Sequence, residues 1–307
     1  MIVADLPPRE LKRVLGTTGL RMRTGPVVTS IRSTLEAVHR GIGLHYAEHP
    51  IEADENFADF HVSVERPMNW RRWFKPQVVF RFDGNSPFAP LPGDQGFPML
   101  EWALNWCVSS QCHEYLILHA AVVEKNGRAL ILPAPSGSGK STLCAGLVFL
   151  GGWRLLSDEL TLIEPGTGAV VPLPRPVSLK NDSIAVMRSL APQTIWSPVV
   201  HDTSKGSVAH VRPPTSSVAR ANEAAMPAWI VLPRYEAGAA ARLEPLSKAR
   251  TFMALEANAF NYNVHGRAGF EVLAGLVARA DCWQFTYSEM QAALAVFDDL
   301  ADTRPRQ

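Results

Sequence analysis

The stretch Ala134-Pro135-Ser136-Gly137-Ser138-Gly139-Lys140-Ser141 packs glycines, hydroxyls and a lysine into one short loop. Those residue types, in that order, form a cradle for phosphate. Glycines at 137 and 139 let the backbone curl and bring its N–H groups close to an anion. A helix that begins at such a loop adds about half a positive charge at its N-terminus. Lys140 would supply a mobile point charge for β- and γ-phosphates, and Ser141 a hydroxyl for Mg²⁺. Ser136, Gly137, Ser138, Gly139, Lys140, Ser141 and Thr142 are therefore the candidate nucleotide-binding residues. The first position is Ala134, where the usual pattern has glycine.

Downstream, Ser157-Asp158-Glu159 ends an apolar run. Adjacent acids point to opposite faces of a continuing strand, or both reach a ligand if the strand stops there. In a phosphotransferase one such carboxylate can take the proton of an attacking hydroxyl, and the other can hold metal. His119 ends the run "LIL". It reads either as a satisfied core histidine or as a group near a reacting centre.

Local patterning predicts the elements that must position these groups. "YLILHAAVVEKNGRALILPA" reads as two strands joined at Asn126-Gly127, residues that supply the positive φ of a tight hairpin. The second strand feeds the glycine loop. "KSTLCAGLVFLGG" is apolar nearly all round, so it predicts a buried helix ended by Gly151-Gly152. "WRLLSDELTLIEPGTGAVVPL" predicts a strand, a turn and a returning strand. Upstream, "MLEWALNWCVSSQ" sets Leu100, Ala103, Leu104, Cys107 and Val108 on one helical face.

Residues 1–95 carry strand-like runs between Pro/Gly breaks, including "FHVSVERP" and "QVVFRFDG", and predict a β-rich N-terminal domain. "FAPLPGDQGFP" reads as a linker to a second domain, 96–307. The proline-rich, small-polar segment 174–227 predicts loops that close over a ligand. "AWIVLP" and "CWQFTYS" predict strands, 248–260 and 267–280 helices, and Ser288 with Gln291 the capping-box spacing of a last helix.

Bulk composition narrows the classes. With 47% hydrophobic and 19% charged residues, the 307-residue chain can bury a substantial core. A formal net charge of +1 gives no bulk attraction to nucleic acid or to an acidic membrane. No apolar run approaches membrane-spanning length and the N-terminus lacks a signal pattern, so the cytoplasm is the expected location. Cys107, Cys112, Cys144 and Cys282 include no CxxC pair and read as buried structural residues rather than metal ligands.

"LHAAVVEKNGRALILPAPSGSGKSTL" and "GGWRLLSDEL" together resemble the HPr kinase/phosphorylase family, more closely the HPr kinase-related kinases of peptide-modification gene clusters. "LPRPVSLKN", "KGSVAHVRPP" and "VLPRYEAGA" are similar to those related kinases as well. The resemblance implies an α/β fold: a P-loop core of the HPr kinase/PEP carboxykinase type with a smaller β-rich N-terminal domain. It implies transfer of the γ-phosphate of ATP, with Mg²⁺, to a serine hydroxyl of a peptide or small protein, and a possible homo-oligomer. By position, Asp158 would be the base, Glu159 an assistant or metal ligand with Ser141, and Lys140 a phosphate ligand. His119 would lie near the reacting centre, and Lys180 would replace a phosphate-contacting arginine. Glu159 stands where HPr kinases have Asp, and "PRPVSLKND" replaces their glycine-rich segment, which argues against HPr itself as substrate. A small-molecule kinase and a non-catalytic nucleotide-binding regulator are the alternatives. Lys205, His210 and Arg212 read either as solvated loop residues or as groups that face phosphate or an acidic peptide, and Arg175 with Lys180 flanks "PVSL", a segment after the paired acids that would fold back over the nucleotide.

Overall fold

The computed structural model describes residues 1–53, 57–135 and 137–303. It is mixed α/β. The N-terminal sheet is built from β1 (Leu20–Thr24), β2 (Val27–Ser33), β3 (Phe60–Glu65), β4 (Gln77–Phe82) and β5 (Leu91–Pro92), in that spatial order. Strand β3 alternates buried Phe60, Val62 and Val64 with less buried residues, so one face packs inward. Helices α1 (Pro8–Gly16), α2 (Glu36–His45) and α3 (Gly96–Gln111) cover that face. Leu100, Ala103, Leu104, Cys107 and Val108 of α3 are all buried, as their helical spacing predicts, and share a core with β1–β4. The expected linker is partly folded: it contributes β5, a 3₁₀ turn over Gly93–Gln95 and the first turn of α3.

The central sheet begins with the hairpin of β6 (Leu116–Lys125) and β7 (Arg128–Pro133). Asn126 and Gly127 take φ of 56° and 77° at its turn, as the sequence requires. Helix α4 (Lys140–Phe149) follows the glycine loop, and Gly152 turns the chain at φ 69° toward β8 (Arg154–Ser157). The run expected as a single strand is broken. Strand β8 pairs with Val122–Glu124 of β6, whereas β9 (Leu160–Ile163) pairs with Leu116–His119 of the same strand. Asp158 and Glu159 occupy the break. Strand β10 (Val170–Val171) returns along β9.

Segment 174–227 is not a set of loops. It forms a three-stranded antiparallel sheet of β11 (Val177–Lys180), β12 (Val200–Thr203) and β13 (Gly206–Val211), with α5 (Asp182–Leu190) and α6 (Thr215–Ala219). Val177, Leu179, Ala209 and Val211 bury against α4. The prolines suggested loops, but these apolar residues two apart settle the matter once a helix is available to cover them.

Strand β14 (Met226–Tyr235) runs parallel to β7 and to β16 (Asp281–Tyr287), while β15 (Arg242–Pro245) closes the edge antiparallel. Leu130 and Leu132 of β7 face α4, α5 and α10 (Met290–Asp302). Ala129 and Ile131 face the opposite layer of α7 (Lys248–Ala257), α8 (Tyr262–His265) and α9 (Arg267–Arg279). Ser288 does not cap α10: its hydroxyl donates to Ala239 O at 2.8 Å, and Glu289 holds the cap position. Among the described residues, no helix is long and apolar enough to cross a membrane.

Candidate functional site

Register brings the two motifs together. Pro133, the last residue of β7, lies opposite Ala120, and Ser157, the last of β8, lies opposite Val122 on the other side of β6. Both strands run antiparallel to β6, so the glycine loop and the paired acids leave the sheet at the same end. His119 pairs with Leu160 in the adjoining register position. The ends of β14 and β16 reach that edge too, where ligands of open α/β sheets bind.

The glycine loop is seated on those two strands. Tyr235 N donates to Ser138 O at 3.0 Å, and the Tyr287 hydroxyl donates to Gly139 O at 3.0 Å. Gly139 has φ 87°, and a Cβ there would stand 2.6 Å from the Tyr287 hydroxyl, so glycine is required twice over. Gly137 also has φ 87° but opens onto free space. Ser136 lies outside the described residues. Gly139 precedes the first residue of α4, whose early N–H groups have no partner within the helix. Ser138, Ser141 and Thr142 are half-buried at this mouth.

Lys140 is buried, and its Nζ has no hydrogen-bond partner. Burial lowers its pKa, opposed by the charges of Asp158 and Glu159. Asp158 is buried as well. Its Oδ2 accepts from Ser178 N at 3.1 Å, while Oδ1 has no partner. Burial, and then the neighbouring Glu159, push its pKa up to about 6, against the pull of Lys140. Glu159 behaves differently. Burial opposes its charge, but Lys180, Lys205 and Lys140 together hold its carboxyl below the usual range. One acid is thus made basic and the other fixed as an anion.

Glu159 is held on two sides. Lys180 Nζ stands 3.6 Å from Oε1, and Asn105 Nδ2 donates to Oε2 at 2.5 Å. Asn105 Oδ1 accepts from Arg175 Nη1 at 2.6 Å. Arg175 is buried, and its Nη2 donates to Glu101 Oε2 at 2.8 Å; Tyr46 donates to the other oxygen of Glu101 at 2.7 Å. Because the strand stops at Ser157, Asp158 and Glu159 line one cavity of about 20 Å³ with Asn105, Arg175, Ser178 and His210, walled also by Trp102 and Leu173.

His119 is half-buried 5.8 Å from the Phe260 ring, and burial followed by the Lys140 charge lowers its pKa to about 4. It is therefore a neutral imidazole at pH 7. Lys205 lies 5.3 Å from the Trp102 ring and interacts with Glu159. His210 is fully buried, with its pKa lowered to about 3 by burial. Arg212 is elsewhere: it pairs with Glu48 at 2.5 Å, at the junction with the N-terminal sheet. Asn105, Glu101, Ser178 and Tyr287 join the site although they lie outside its sequence motifs. Asn105 and Glu101 did carry a signal, as the polar residues one helical turn apart in the otherwise apolar stretch 96–108 of α3.

The arrangement can grip an anion at the start of α4 and set a basic carboxylate beside it. Lys140 Nζ is a buried donor that the protein leaves unmatched, as a phosphate-binding group would be, whereas Asp158 Oδ1 is an unmatched acceptor that would take a proton donor rather than an anion. Among the described residues no group of three or more His, Cys, Asp or Glu could hold a metal by itself, so a metal here would need ligands from elsewhere, such as phosphate oxygens.

Residues 97–186 are similar to a protein family described as SynChlorMet cassette protein ScmC. The matched stretch contains Glu101, Asn105, His119, the glycine loop, Asp158, Glu159, Arg175 and Lys180. A cassette protein fits the peptide-modification context that the sequence resemblance implied. No curated protein matches the chain.

Proposed function

We propose that the chain is an ATP- and Mg²⁺-dependent serine kinase of the HPr kinase-like type, acting on a peptide or small protein. The observation that carries this reading is the buried pair of unmatched atoms, Lys140 Nζ and Asp158 Oδ1, set at one sheet edge beside a glycine loop. ATP bound with Mg²⁺ would supply the γ-phosphoryl group. Lys140, the N–H groups at the start of α4 and the loop backbone would hold its phosphates, and Ser141 with Glu159 would reach the metal. Thr142 and Lys180 would complete the phosphate contacts.

Asp158 Oδ1 is the proton acceptor for the serine hydroxyl, since Oδ2 is engaged by Ser178. A carboxylate that titrates near 6 is a stronger base than an ordinary aspartate yet stays mostly ionised at pH 7. Asn105 and Lys180 keep Glu159 from swinging into that role. His119, neutral at working pH, can accept or donate a hydrogen bond without adding charge.

The test is incubation with ATP, Mg²⁺ and peptides encoded beside the gene, read by mass spectrometry for phosphoserine. Phosphate on no peptide or protein, with no ADP released, would remove the kinase reading. Lys140→Ala is expected to lower turnover at least a hundredfold, because one well-aimed charge lowers such a barrier by about 3 kcal/mol. ADP release measured beside circular dichroism checks that the loss is not one of folding.

A further inference from the structure

Between β3 and β4 the chain reads Arg66-Pro-Met-Asn-Trp-Arg-Arg-Trp-Phe-Lys75. Four cations and no acid fall within this segment, while the whole chain carries only +1. Its large apolar side chains are not buried: Met68 is 89% exposed, Trp70 57%, Trp73 74% and Phe74 61%. Groups of this size normally enter a core or a partner interface, and a cluster of them on the surface marks an interaction site.

Hydrogen bonds and ring contacts join the members of the cluster. Asn69 Oδ1 accepts from Arg71 N at 3.0 Å, and Trp70 O accepts from both Trp73 N and Phe74 N at 3.2 Å. The Trp70 and Phe74 rings lie 5.6 Å apart, and the Arg71 guanidinium sits 4.6 Å over Trp70. The cluster is also tied to the corner that borders the site. Gly93 N donates to Pro76 O at 2.8 Å, and Gln95 donates to Asp202 O at 3.3 Å, on the hairpin that presents Lys205 toward Glu159.

We propose that this aromatic and basic turn docks an acidic, aromatic-containing segment of the acceptor peptide. The inference rests on the peptide-kinase reading. Tryptophan and arginine are the residues that most often dominate binding surfaces. Their cations select acidic chains, and the rings reward aromatic or aliphatic side chains that accompany the acids. Docking beside the site raises the local concentration of the acceptor serine without asking the catalytic groups to recognise sequence.

A fluorescein-labelled glutamate–tyrosine copolymer serves as the probe, read by anisotropy at low salt. The unaltered chain is expected to bind it, and Trp70→Ala/Trp73→Ala/Phe74→Ala at least tenfold more weakly. Arg71→Gln/Lys75→Gln is expected to weaken binding and flatten its salt dependence. All five side chains are exposed or lie in the exposed turn, so the fold should survive, and a labelled nucleotide titrated into the same proteins reports on the kinase site independently. Failure of the unaltered chain to bind the copolymer, or equal binding by the variants, would overturn the proposal. Tighter binding to oligothymidine or to phosphatidylglycerol vesicles would overturn it in favour of nucleic acid or membrane. Loss of nucleotide binding alone would sink the kinase reading and leave the docking surface standing.

Discussion

Asp158→Asn is expected to lower phosphate transfer at least a hundredfold while leaving the protein folded. The amide keeps the shape and can still accept from Ser178 N, but it cannot take a proton. In the unaltered protein, activity should rise with pH through about 6 as Asp158 ionises, and the residual activity of the variant should lose that dependence. The stability effect has the opposite sign. A carboxyl whose folded pKa lies above its unfolded value contributes stability at low pH and withdraws it as pH passes the folded value. Above about pH 6 the buried anion therefore burdens the fold, and Asp158→Asn should melt no lower than the unaltered protein at pH 8. Near-native transfer rates in the variant would show that another group is the base. A melting point well below that of the unaltered protein would show that Asp158 is structural.

Arg175→Met is expected to destabilise the protein by about 3–5 kcal/mol, because it leaves the buried Glu101 without its counter-charge and with only the Tyr46 hydroxyl to satisfy it. Arg175 donates to Glu101 Oε2, to Glu101 O at 3.0 Å and to Tyr46 at 3.2 Å, so three segments of chain meet on one guanidinium. The double variant Glu101→Gln/Arg175→Met should recover most of the loss, since it removes both charges together. Urea denaturation of the two single variants and the double variant measures this directly. Equal stability of Arg175→Met and the unaltered protein would mean the pair contributes nothing. The same substitution also frees Asn105, so Glu159 should lose its fixed orientation, and any metal requirement of the reaction should rise in concentration.

Much of the site's frame was legible because its signals are local. Asn126-Gly127 announces a hairpin through the φ values those residues tolerate, and Gly137 and Gly139 announce a curled loop for the same reason. The run after Lys140, apolar nearly all round, marks a buried helix, and the consecutive apolar residues Ala129–Leu132 of β7 are buried on both faces, against two layers. The segment 174–227 hides its strands because proline and small polar residues resemble loop composition, while the α4 surface that buries β11 and β13 is distant in sequence. The capping spacing at Ser288 failed for a related reason: a tertiary acceptor, Ala239 O, took the hydroxyl.

The sequence by itself determined a glycine loop that opens a helix and, downstream, a pair of adjacent acids. Only the tertiary structure decided how they act on each other. Asn105 reaches Glu159 across 54 positions of chain, and Arg175 reaches Asn105 across 70 and Glu101 across 74. No local pattern encodes such pairs, because hydrogen bonds and desolvation depend on what folding brings within a few ångströms. The break between β8 and β9 follows the same logic. Adjacent acids in a continuous strand face opposite ways, and it is the change of register along β6 that turns both toward one cavity, making Asp158 basic and holding Glu159 as an anion.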